Sequence, residues 1–159
     1  MAQNREEQFM RMVIDAAVQN VHNGLGGPFA AMVVKGDEVV AMGTNQVTTT
    51  NDPTAHAEIS AIRAACTKLG SFQLSGCEIY TSCEPCPMCL GALYWARPDH
   101  IYFAATRQDA AASGFEDSFI YDEVGLEFGS RNIATDHVLG GEGRRPFDAW
   151  DQKEDKVRY

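Results

Sequence analysis

The chain lacks any long apolar run. Runs such as Phe29–Val34 and Val39–Met42 fall far short of the roughly 20 residues that span a bilayer, which excludes a transmembrane helix. The first residues, Met1-Ala2-Gln3-Asn4-Arg5-Glu6-Glu7-Gln8, lack the basic stretch and apolar segment of a signal peptide, so a cytoplasmic protein is expected. Basic charge is also scarce: 13 Lys plus Arg stand against 22 Asp plus Glu, a net charge of −9. That balance repels a phosphate backbone and disfavours long nucleic acids as partners, leaving a small neutral molecule as the better fit. Repeats, low-complexity stretches and interdomain linkers are missing. With 159 residues and 45% hydrophobic content, residues 1–159 are expected to form one domain, with a core large enough to need no disulfides.

Cysteine is present but unsuited to a disulfide framework. There are five, an odd number, and Cys83, Cys86 and Cys89 are crowded together as metal ligands are.

The periodicity predicts an α/β fold. Phe9, Met12, Val13, Ala16, Ala17 and Val21 recur at helical spacing over Arg5–Val21. Phe29–Lys35 and Glu38–Gly43 flank Gly36-Asp37 as a hairpin. Ile59, Ile62, Cys66 and Leu69 line a second helix that Gly70 stops. Cys77–Ser82 reads as a third strand and Pro87–Ala96 as the body of a third helix, with Pro85 in its first turn. His100–Ala105 is a fourth strand. Beyond it, Asp109–Ser113 reads as a short helix, Ala134–Leu139 as a fifth strand and Phe147–Val157 as a charged helix. The expected architecture is a three-layer α/β/α sandwich on a mixed five-stranded sheet.

His56-Ala57-Glu58 at one helix start and Pro85-Cys86-Pro87-Met88-Cys89 at another supply one imidazole and two thiolates, a typical ligand set for catalytic zinc with a fourth position for water. Cys86 and Cys89, three apart on a helix, can face one point, and the positive helix end favours their thiolates. Water on such a Zn²⁺ is acidified toward a pKa of roughly 7, making hydroxide available near neutral pH. Glu58 is then the proton carrier, since a fourth protein ligand would close the site. Residues two apart on a regular helix diverge, however, so His56 and Glu58 converge only if the helix presents its first turn end-on. A closed structural site of His56 with Cys83, Cys86 and Cys89 is the alternative. The Glu two residues after the ligand His favours the open, hydrolytic site.

H-x-E with P-C-x-x-C is a known signature of zinc deaminases. With Gly26-Gly27-Pro28-Phe29 and the segments Asn51–Glu58 and Thr81–Cys89 around it, the chain resembles the cytidine deaminase superfamily, and within it the bacterial guanine deaminases. The likeness runs from the first helix to about Tyr121. Gly114–Tyr121 resembles a segment that sets guanine deaminases apart, and those enzymes likewise end in tyrosine, here Tyr159.

The resemblance implies a cytidine deaminase-like sandwich that hydrolyses guanine to xanthine and ammonia. Zinc-bound hydroxide attacks C2, and Glu58 passes a proton to N3 and then toward the leaving amine. It implies that Phe29 stacks on the purine, that Asn45 hydrogen-bonds its ring, and that Ala57 belongs to the substrate site. Asp117 reads the nitrogen edge and counts with Glu58 as catalytic. Tyr159 reaches the site from the other subunit of a homodimer in which residues 144–159 are exchanged.

Without the resemblance, Phe29 reads as a core aromatic, Asn45 as a turn former and Asp117 as a solvated acid. His22, His100 and His137 receive no role, Cys66 and Cys77 read as small buried hydrophobes, and Trp95 and Trp150 as packing residues. Gly24-Leu25-Gly26-Gly27 precedes a strand, so it is a turn and not a dinucleotide fingerprint. Three rivals share the zinc motif: a tRNA adenosine deaminase, a deaminase of cytosine or an aminotriazine, and a zinc-stapled binding module. Against the first, Asp148–Tyr159 mixes four acids with three Lys or Arg, where a terminal helix holding a polyanion should be basic. Against the last, Glu58 is intact.

Overall fold

Asn4 opens the fold as a helix cap, its Oδ1 accepting the Glu7 N–H at 2.8 Å. The structure is a computed structural model that describes residues 4–159; the reading of Met1–Gln3 as part of a polar leader-free start lies outside them. The chain divides into two compact units, one ending at Asp117 and the other running Ser118–Tyr159.

In the first unit, α1 (Arg5–His22) is followed by β1 (Ala30–Lys35) and β2 (Glu38–Thr44), joined by a tight turn at Gly36, whose φ of +60° suits glycine. A short α2 (Val47–Thr50) leads to α3 (Ala57–Leu69), β3 (Glu78–Cys83), α4 (Pro87–Ala96), β4 (His100–Ala105) and α5 (Arg107–Ala112). The strand order is β2-β1-β3-β4, with β1 antiparallel to both neighbours and β3 parallel to β4.

β1 is buried on both faces because helices cover both. Ala30, Met32 and Val34 pack with Val13 and Ala17 of α1, while Ala31 and Val33 pack with Ala57, Ala61 and Ala65 of α3 and Leu93 and Ala96 of α4. This is the expected three-layer sandwich.

The buried face of α3 is set one step from the expected Ile59-Ile62-Cys66-Leu69 stripe and is built of alanines. Gly43 gives the reason. A Cβ there would lie 2.4 Å from both Ala57 O and Ala61 N, so helix and strand approach at backbone contact distance and only small residues fit between them. This contact sets the depth at which the start of α3 meets the sheet.

The sheet has four strands, where five were expected. Ala134–Leu139 is irregular: its residues do not alternate between polar and apolar, and Leu139 adopts a left-handed φ of 54° and accepts from Glu142 N and Gly143 N in a turn. The second unit consists of α6 (Ser118–Val124), a 3₁₀ turn (Phe128–Ser130) and α7 (Arg145–Gln152). α7 replaces the expected Phe147–Val157 helix, starting earlier because Pro146 is tolerated in the first turn. Pro85, by contrast, precedes α4, whose N1 residue is Pro87. Trp95, expected to pack, is exposed. No helix among the described residues is long and apolar enough to cross a membrane.

Candidate metal centre

Both sequence motifs sit at helix beginnings, each with an N-cap residue in extended form. The turn before His56 is held by Asp52 Oδ1, which accepts from Thr54 N (2.8 Å) and Thr54 Oγ1 (2.7 Å). Gln46 N donates to Ala55 O at 2.9 Å and closes the loop. His56 is therefore the N-cap of α3, with φ −68° and ψ 158°, and Glu58 lies in the first turn. Cys86 is likewise the N-cap of α4, with φ −67° and ψ 168°, and Cys89 follows one turn on. The difficulty of two residues diverging on a helix is thereby resolved: His56 stands just outside the helix that carries Glu58, and α3 presents its first turn end-on.

His56 Nδ1 lies 3.6 Å from Cys86 Sγ and 3.5 Å from Cys89 Sγ, and the three donor atoms fall within 4.8 Å of one another. A tetrahedral zinc with bonds of about 2.3 Å to sulfur and about 2.0–2.1 Å to nitrogen needs sulfur–nitrogen separations near 3.6 Å. The donor set and its spacing fit that ion. Cys83 lies outside the group. Its Sγ donates to Thr106 O at 3.6 Å, and burial pushes its pKa up to about 11. Cys83→Ser, which keeps a donor for Thr106 O, should leave zinc content unchanged and cost at most about 1 kcal/mol of stability. Metal analysis of the purified variant checks this; loss of zinc would favour the closed-site alternative.

The electrostatics of the three donors are coupled. The Cys89 thiol, and then His56, hold the Cys86 pKa down to about 4. That thiolate, with burial, pushes the Cys89 pKa well above its usual range. The hydrogen bond with Cys86 raises His56 against the lowering effect of burial. Protons thus compete for the positions a cation would take.

Glu58 is 7% exposed, and burial raises its carboxyl pKa. Its Oε2 accepts from Cys89 Sγ at 3.3 Å and its Oε1 from Thr81 Oγ1 at 3.3 Å, which sets the carboxyl against the metal ligands. Thr81, buried at 2% exposure and with its single hydroxyl hydrogen shared between Glu58 and Cys83 O, the latter at 2.9 Å, gave no signal in the sequence beyond being polar within a buried strand.

The other predicted residues are placed as follows. Phe29 is half-buried, with its ring 5.0 Å from that of Phe115 at 89°, an edge-on contact. Asn45, 8% exposed, accepts through Oδ1 from Gly27 N and Val47 N, both at 3.3 Å. Ala57 is fully buried, backbone included; its N–H belongs to the helix's first turn, where amides have no intrahelical acceptor. Asp117 is partly buried, and its pKa is raised first by burial and next by the charge of Cys86. Tyr159 is 72% exposed in the second unit.

Residues 3–105 match the cytidine and deoxycytidylate deaminase zinc-binding region, so the chain belongs to this family of zinc-dependent deaminases, which are hydrolytic enzymes. Within the family it is 50% identical to guanine deaminase of Bacillus subtilis over 96% of this chain and 98% of that protein. The X-ray structure of guanine deaminase from that organism superposes with a TM-score of 0.94, covering 96% of this chain and 98% of that one. A solved structure in complex with 8-azaguanine, 34% identical, matches with a TM-score of 0.67 over 89% of this chain and 73% of that one. A tRNA-specific adenosine deaminase of Aquifex aeolicus is 38% identical over 63% of this chain and 66% of its own.

Proposed function

We propose that the chain hydrolyses guanine to xanthine and ammonia in the cytoplasm, with zinc held by His56, Cys86 and Cys89. The observation that carries this reading is the extent of the likeness. The zinc-binding region ends at residue 105 and the similarity to the Aquifex tRNA deaminase covers 63% of the chain, but that to the Bacillus guanine deaminase covers 96%. The stretch around Phe115 and Asp117, beyond the zinc-binding region, is thus shared with a guanine deaminase.

When bound, zinc supplies a Lewis acid that makes water nucleophilic near neutral pH. The chain's own residues do the rest. Glu58, buried beside the ligands, takes one proton from the attacking water and delivers it to N3, and then carries the second, released as the added hydroxyl becomes the C2 carbonyl of xanthine, to the departing amine. The raised pKa of its carboxyl makes it a ready acceptor and a capable donor. Phe29, steadied by Phe115, offers its face to the purine. Asn45 and the Ala57 backbone amide hydrogen-bond the ring, and Asp117 accepts from the N–H groups of guanine while assisting the proton traffic.

Tyr159 closes the site of a partner copy in a homodimer that exchanges residues 144–159. In support of a partner, the helices of the second unit contain no buried residue, and Phe119, Ile133, Val138 and Phe147 are exposed, an apolar surface that favours association. The net charge of −9 argues against long nucleic acids as substrate.

The test is ammonia release by the zinc-loaded protein on guanine, adenine, cytosine, cytidine and a tRNA anticodon stem-loop. Release from guanine alone is expected. Silence on guanine with release from another substrate would discard the pocket assignments and leave the zinc chemistry.

A further inference from the structure

Asn20 occupies the last turn of α1, on the face that one and two turns earlier carries Ala17 and Val13 into the core. It is 2% exposed, a polar residue where the apolar stripe calls for another hydrophobe. Its Nδ2 donates to two backbone carbonyls on different segments, Gly27 O at 2.9 Å and Asn45 O at 3.0 Å. Its Oδ1 is the only buried side-chain oxygen or nitrogen among the described residues that lacks a hydrogen-bond partner. Turning the amide over would set that oxygen against two carbonyl oxygens, so the two donors fix the orientation and leave the acceptor unmatched. A residue that merely filled this position would leave no such group unmatched.

The carbonyls that Asn20 holds belong to the stretches bearing Phe29 and Asn45. These stretches are also joined directly, by Asn45 N to Phe29 O at 3.0 Å and Gly27 N to Asn45 Oδ1 at 3.3 Å. Their approach is so close that a Cβ on Gly26 would fall 2.1 Å from Asn45 O. Asn45 Oδ1 is held by Gly27 N and Val47 N, both at 3.3 Å, so one of the two bonds that orient its amide runs through the segment that Asn20 holds.

We propose that Asn20 is a positioning residue for purine recognition: from beneath, its amide clamps the Gly27 and Asn45 backbones and thereby sets Asn45 and Phe29 for the base. The inference rests on the reading of those two residues as substrate contacts. Asn20 itself touches no substrate and lies outside the zinc ligands, so its loss acts on KM and spares both zinc and the chemical step.

The experiment is steady-state deamination of guanine by Asn20→Leu and Asn45→Ala, with zinc content and circular dichroism recorded for each. Asn20→Leu is similar in size and removes both donors. It should raise KM about tenfold or more, with kcat and zinc content near the parent values. A folded Asn20→Leu protein with parental KM, or one whose kcat falls in step with its folded fraction while KM stays put, overturns the proposal. If Asn20→Leu does not fold, Asn20→Ser, which retains one donor, should raise KM by a smaller factor, and an unchanged KM there overturns it equally. Asn45→Ala separates the two layers of the argument. A raised KM in Asn45→Ala with none in the Asn20 variants sinks the clamp alone; an unchanged KM in Asn45→Ala sinks the purine contact and the clamp with it.

Discussion

Glu58→Gln should lower kcat by about 10²–10⁴-fold while leaving zinc content and fold intact, the range that proton transfer by a positioned carboxylate contributes. The substitution is isosteric. The partners of Glu58, Thr81 Oγ1 and Cys89 Sγ, each at 3.3 Å, can turn to meet an amide, so the variant should pack as the parent does. Gln carries no charge to desolvate in this 7% exposed position, and the variant should therefore unfold at a temperature no lower than the parent's. KM should move little, because the loss falls on the chemical step and not on ground-state binding. Single-turnover kinetics with metal analysis reads all of this. Persisting turnover would remove Glu58 from the proton path, and a fall in zinc would make it a ligand.

The second large effect is expected at the ligands. His56→Ala and Cys89→Ser should each lose zinc and turnover together, by a factor comparable to or larger than Glu58→Gln. The sign of the pH dependence follows from the proton competition among the donors. His56 and Cys89 have raised pKa values, so both must release protons before a cation is held, and zinc affinity should rise with pH across the neutral range. The depressed Cys86, near 4, is already a thiolate there and adds no slope. Competition titrations with a chromophoric chelator at several pH values measure the slope; a flat profile would mean that these groups are not the ligands.

How much of this was legible beforehand depends on what carried the signal. The hairpin at Gly36-Asp37, the helices over Arg5–His22 and Ala57–Leu69, and the parallel pair β3 and β4 follow from periodicity and turn chemistry, which act locally. The ligand group was legible because each half is a short motif at a helix start. Its convergence was not, since the N-cap geometry of His56 depends on the Asp52–Thr54 turn and on the depth that Gly43 allows α3. Asn20 and Thr81 went unread for a related reason. A polar residue on an apolar stripe is anomalous in sequence, but what it bonds is settled only when distant segments meet. The expected strand at Ala134–Leu139 is absent because its residues do not alternate between polar and apolar, so neither face offers an apolar side to bury.

The placing of His56 and Cys86 at the beginnings of two different helices has a mechanical consequence. A cation held by both ties together points 30 residues apart along the chain, enclosing all of α3 and β3 in a covalent-like ring. Closing a ring of that size in an unfolded chain would be worth about 3.6 kcal/mol by the loop-entropy relation used for disulfides. The ion that equips the centre for chemistry therefore also serves as a brace, and the segment it encircles should be the last part of the sandwich to come apart under load.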